Sequence, residues 1–132
     1  MKKFLSVLLS VILAVTCLSF AGCSVPKKPG DAVANLTENG YLAIAISSTD
    51  EINEIIESIP GIPAGGVESV VTGVSGTSMI LIFYCSSKSV AKDLEEALDE
   101  YADDSSEFAG MEVDRKSKRV WVGHEAAIEA AK

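Results

Sequence analysis

Residues 67–85, Val67-Glu68-Ser69-Val70-Val71-Thr72-Gly73-Val74-Ser75-Gly76-Thr77-Ser78-Met79-Ile80-Leu81-Ile82-Phe83-Tyr84-Cys85, form two β-type runs divided by a glycine turn. Valines and small polar residues fill Val67 to Ser75, Gly76-Thr77 supplies the turn, and every position from Met79 to Cys85 is apolar. This composition predicts a hairpin whose second strand, lacking a polar face, lies in the centre of a sheet.

Upstream, Ser48-Thr49-Asp50-Glu51 has the spacing of a capping box, in which the serine oxygen accepts from the backbone three residues on and the glutamate reaches back. Ile52, Ile55, Ile56 and Ile59 follow at i, i+3, i+4 and i+7, one apolar stripe, and Pro60-Gly61 ends the helix. Before it, Tyr41 to Ile46 reads as a strand with Leu42, Ile44 and Ile46 on one side. Asp31 caps a short helix through about Glu38, stopped by Asn39-Gly40. Downstream, Ser87 opens a second long helix with the stripe Val90, Leu94, Ala97, Leu98 and Tyr101. Gly110 to Arg115 and Arg119 to Gly123 read as a hairpin around Lys116-Ser117-Lys118, and His124 to Lys132 as a short alanine-rich helix.

The resulting order, β-α-β-β-α-β with an added C-terminal strand and terminal helices, is that of an α+β domain. Right-handed crossovers predict a ferredoxin-like, split β-α-β sheet with strand order 5-4-1-3-2. There the two long helices cover one face, and the other is bare unless the terminal helices fold over it. That open face is the first functional candidate. Trp121, which alternates with Val120 and Val122, is either its binding anchor or a core residue under Ile128.

Composition separates the chain's first residues from this domain. Fifteen of residues 1–22 are apolar, two are Lys2 and Lys3, and none is acidic. Phe4 to Phe20, interrupted by Ser6, Ser10, Thr16 and Ser19, is short for a membrane span and reads as an export signal. Its removal leaves nine basic and nineteen acidic side chains, a net charge of −10, which excludes nucleic-acid binding as a default. About 110 residues remain, one modest core.

The export stretch ends in Phe20-Ala21-Gly22-Cys23, small residues that give a peptidase access to the backbone before a thiol. This segment resembles the lipobox of bacterial lipoproteins. The resemblance implies removal of residues 1–22, lipidation of Cys23 with two acyl chains, a tether over 23–30, and a single domain over 31–132 at the outer face of a bacterial membrane. The other reading is an ordinary signal peptide cut near Ala21, with Cys23 an incidental thiol. Ser24 to Gly30, with two prolines and a glycine, would span on the order of 15 Å as a flexible spacer. Its Lys27 and Lys28 either meet an anionic surface or are merely solvated. The domain is also similar to small lipoproteins of unassigned function from Gram-positive anaerobes. The similarity rests on Met79-Ile80-Leu81-Ile82-Phe83-Tyr84-Cys85, the acidic helix after it, and Val120-Trp121-Val122-Gly123 with Ala126-Ala127-Ile128. It implies no catalytic residue.

Little else carries chemistry. Cys85, at the end of an apolar run, reads as a buried inert thiol rather than a nucleophile. The single histidine, His124, lacks the partners a zinc site needs, so no metal or cofactor is expected. Gly73-Val74-Ser75-Gly76-Thr77 leads into a strand, where a nucleophile elbow needs a helix, and Asn35-Leu36-Thr37 is a bare three-residue acceptor match. Two charged groups stand out. Asp99, Glu100, Asp103, Asp104 and Glu107 oppose the helix macrodipole, as either a patch for a cation or basic partner or a solubilising surface. Arg115, Lys116, Lys118 and Arg119 form a basic tip, roughly 20 Å from those acids if a strand of about six residues intervenes. This tip is either a membrane or polyanion contact or a turn kept soluble by charge, and no salt bridge between it and Asp103 or Asp104 is expected. The sequence therefore points to a lipid-anchored, non-enzymatic binding module whose partners are the membrane and an envelope protein. The alternatives are an accessory subunit of an envelope complex, or an enzyme whose site is not recognisable from sequence.

Overall fold

The computed structural model describes residues 24–59, 65–104, 108 and 110–132. Residues 1–22, expected to be an export signal, Cys23 and Glu107 lie outside the described residues. In chain order the elements are α1 (Pro29–Glu38), β1 (Leu42–Ile46), α2 (Thr49–Glu57), β2 (Val67–Ser75), β3 (Ser78–Cys85), α3 (Lys88–Asp104), β4 (Glu112–Lys116), β5 (Arg119–Gly123) and α4 (Glu125–Ala131). The five strands form one open antiparallel sheet, and the fold is α+β.

The strand order is β1-β2-β3-β5-β4, not the 5-4-1-3-2 of the expected ferredoxin-like arrangement. β1, expected at the centre, pairs antiparallel with β2 alone, Ile44 opposite Thr72, and forms an edge. Two-sided burial explains the difference. β5 is buried at all five positions, and five of the eight residues of β3 are buried, so these strands gain most from interior places. β1 has only alanines on one face, and β4 carries Glu112, Asp114 and Lys116, side chains suited to an edge.

Alternation along β3 divides the core. Phe83 and Cys85 face α2 and α3, meeting Ile52, Ile56, Leu94 and Leu98. Ile80, Ile82 and Tyr84 face the opposite way, toward Leu36 of α1 and Ile128 of α4. The terminal helices therefore close the face that the sequence left open, and Trp121, 3% exposed, is a core residue beneath Ile128. Asn35 Nδ2 donates to the Ala131 carbonyl (3.0 Å) and Asn39 Nδ2 to that of Ala130 (3.3 Å), joining the two helices.

Local signals mark the helix starts more accurately than their bonding. α2 begins after Ser48 as the capping box predicts, but neither capping side-chain bond forms; the Ser48 carbonyl accepts from Ile52 N–H at 2.9 Å. α1 starts at Pro29, before the expected Asp31, because proline suits a first turn whose N–H has no helical partner.

The closed face depends on two glycines flanking Ile80. A Cβ on Gly73 would lie 2.9 Å from Cδ1 of Leu36, and one on Gly123 would lie 2.8 Å from the Met79 carbonyl oxygen and 2.9 Å from Ile80 Cα. Backbone cannot rotate aside as a leucine methyl can. Gly123→Ala is expected to cost about 1–3 kcal/mol, and Gly73→Ala less. Thermal unfolding of the two variants checks this ranking.

Candidate functional site

The β4–β5 turn places the basic tip at the end of the sheet where β3 finishes, with Ser117 in the left-handed region at φ 58°. Alternation then parts its arginines. Arg115 turns to the α3 side, where its Nε donates to Glu95 Oε1 at 3.1 Å. Arg119 turns to the other face as the cross-strand partner of Tyr84. It is 7% exposed, its Nε has no hydrogen-bond partner, and no ion pair engages it among the described residues. Burial pushes its guanidinium below the ordinary arginine value, and the Tyr84 side chain partly opposes this. Lys116 and Lys118 are exposed.

The segment expected to be a flexible spacer lies on this site. Val25 is 1% exposed, packed in the same cluster as Tyr84 and Leu36. The Tyr84 hydroxyl donates to the Pro26 carbonyl at 2.9 Å. A buried apolar side chain and a hydrogen bond from the sheet override the local freedom of a proline-glycine sequence, and Lys27 comes to line the same cavities as Arg119. Burial raises the Tyr84 hydroxyl to about 12, with Arg119 lowering it and Asp31 raising it, so this group remains a donor.

Two cavities adjoin here. One, of about 380 Å³, is lined by Lys27, Ser69, Tyr84, Lys118 and Arg119, with Glu68 at its wall. The other, of about 560 Å³, is lined by Ser24, Pro26, Lys27, Lys28, Lys116 and Arg119, with Asp31. Both contain Lys27 and Arg119. The register shifts between Val67 and Ser69, so β2 bulges where the smaller cavity forms. Cationic side chains from the N-terminal segment and the β4–β5 turn thus converge on one cleft, in a chain of net charge −8.

The other charged group does not converge on this cleft. Asp99, Glu100, Asp103 and Asp104 are exposed along the C-terminal half of α3, and no three metal-binding side chains come together among the described residues. No ion pair joins the basic tip to Asp103 or Asp104 among the described residues; the tip's contact with α3 is Arg115–Glu95. His124 is half-buried, its Nδ1 accepting from the Met79 N–H at 3.1 Å, a structural acceptor role. Cys85 is a free, buried thiol, raised by burial and by Glu68 to about 11, which suppresses its nucleophilic thiolate form. Gly76-Thr77 forms the expected β2–β3 turn. No helix among the described residues is long and apolar enough to cross a membrane.

Sequence reasoning located Arg119 and Lys118 but missed Tyr84, Ser69 and Glu68 as their neighbours. The signal that could have found Tyr84 is its place in an otherwise hydrocarbon run, since a buried tyrosine hydroxyl needs a partner. Compared with protein-family models, curated proteins and solved structures, the chain has no match.

Asp99 shows that the acidic helix carries a cost. Burial raises its carboxyl, and Glu95, Asp103 and Asp114 raise it further. The folded state therefore holds this proton more tightly than the unfolded one, and the group's contribution to stability falls as pH rises through the carboxylate range. Glu95 and Asp103 lie four residues to either side of it. Asp99→Asn is expected to stabilise the domain at pH 7 by at most about 0.5 kcal/mol after solvent screening. The gain should vanish below about pH 3, where the carboxyl is protonated in both states. Urea unfolding at the two pH values measures it.

Proposed function

We propose that this chain is a lipid-anchored, extracytoplasmic binding module, attached through Cys23 to the outer face of a bacterial membrane and binding at the cleft around Arg119. The observation that carries this reading is the docked N-terminal segment: with Val25 buried and Pro26 bonded to Tyr84, the cleft wall includes Ser24, the residue next to Cys23. A module held by that cysteine would present the cleft to the headgroup region, while its acidic bulk is repelled by an anionic bilayer. This geometry supports a binding role.

A second reading, an accessory subunit of an envelope complex, draws support from the β1 edge. Leu42, Ile44 and Val74 are 84%, 59% and 44% exposed on one face, beside a strand edge with no charged residue. Such an edge suits the completion of a sheet against a protein partner.

Anchoring is checked on the chain produced in a bacterial host. Mass spectrometry of the matured N-terminal peptide is expected to find Cys23 bearing diacylglycerol through a thioether, and Cys23→Ser is expected to move the protein from the membrane to the soluble fraction. A bare sulfur, or a serine variant that stays as firmly on the membrane, would overturn the anchor.

A further inference from the structure

Arg119 poses a problem of charge. Its Nε is buried without a partner while the residue lines both cavities, and an arginine so placed normally has a carboxylate within reach, because desolvating part of an unpaired cation is expensive and an apolar side chain would serve the core better. Here its partners across the strands are Tyr84, whose hydroxyl is committed to the Pro26 carbonyl, and Lys116, another cation. The two carboxylates at the cleft, Asp31 and Glu68, are exposed, and neither pairs with Arg119. Lys27 and Lys118 add positive charge to the space that Arg119 lines.

We infer that this cleft is a binding site for a phosphoryl group, with the Arg119 guanidinium donating to its oxygens and Lys27 and Lys118 neutralising its charge. The chemistry of each part fits. The planar guanidinium presents parallel donors to two oxygens of a phosphate, and the two ammonium groups act as mobile point charges on the remainder. The smaller cavity, about 380 Å³, holds roughly a dozen water volumes of about 30 Å³ each, room for an ester substituent beside the phosphate itself. The surrounding chain is acidic, so an anion is attracted at this cleft and repelled elsewhere, which favours an anion delivered at short range. Two sources share this chemistry: the phosphodiester of a lipid headgroup beside the anchor, and a free phosphate or phosphate monoester. The inference rests on the cleft being the binding site of the proposed function, but not on lipidation of Cys23.

The test follows the Arg119 Nε–H resonance of the full chain, labelled with nitrogen-15 and held in neutral detergent. Titration with inorganic phosphate at constant ionic strength is expected to shift this resonance saturably, with a Kd on the order of 1 mM. Acetate should bind at least about tenfold more weakly, since it brings fewer oxygens and less charge. Lys27→Gln combined with Lys118→Gln removes only exposed ammonium groups and should weaken phosphate binding about tenfold with the fold unchanged. Arg119→Met should abolish binding while preserving or raising the unfolding temperature, the reverse of what a purely structural arginine would do. Bicelles then separate the sources. A shift by phosphatidylglycerol bicelles that exceeds the one by inorganic phosphate assigns the headgroup, and saturation by inorganic phosphate with no lipid response assigns the free anion. Repeating the titration on Cys23→Ser separates this site from the anchor, because phosphate binding persists without lipidation. No saturable shift with phosphate or with the anionic bicelles, or an equal response to acetate, overturns the proposal.

Discussion

A strand that is apolar on both faces has to be roofed twice, and Met79–Cys85 imposes that demand on the rest of the chain. One face obtains its cover from the two amphipathic helices that follow β1 and β3, through Ile52, Ile56, Leu94 and Leu98. The other recruits the two ends of the chain, through Leu36 and Ile128. The two short terminal helices would be marginal on their own and are held by the area they bury and by the Asn35 and Asn39 bonds between them. Gly73 and Gly123 are part of the same requirement, since they let helix and strand approach Ile80 from either side.

Closing the second face also builds the cleft. To complete this roof the chain brings Val25 under cover, and Tyr84, facing that layer from the end of β3, captures Pro26. The same register that places Tyr84 there sets Arg119 opposite it. Core packing, the docking of residues 24–28 and the position of Arg119, which has no ion pair among the described residues, are therefore one arrangement.

Much of the fold is legible along the chain. The isoleucine stripe of α2, the leucine stripe of α3 and the two strand runs of residues 67–85 occur where periodicity and turn residues place them. The expected strand order does not survive, because it assumed that each helix returns the chain for a parallel strand. β1, with Ala43 and Ala45 on one face, has too little side chain to hold an interior place against β3 and β5. In the site, the charges of Arg115 and Arg119 are equally visible in sequence, and their opposite fates are not. One is satisfied by Glu95 across a helix and the other is buried beside a tyrosine, because four residues and a left-handed turn at Ser117 put them on different faces.

Taken alone, the sequence determined the periods, the turns, the charge imbalance and the segregation of an apolar N-terminal stretch ending at Cys23, all properties of neighbours along the chain. Only the tertiary structure decided which strands lie inside the sheet, that Trp121 is covered, and that Lys27 lines one cavity with Arg119, some ninety residues away. The reason is competition: interior places go to whichever segments bury most surface on both sides, and that ranking exists only when all the segments are packed together.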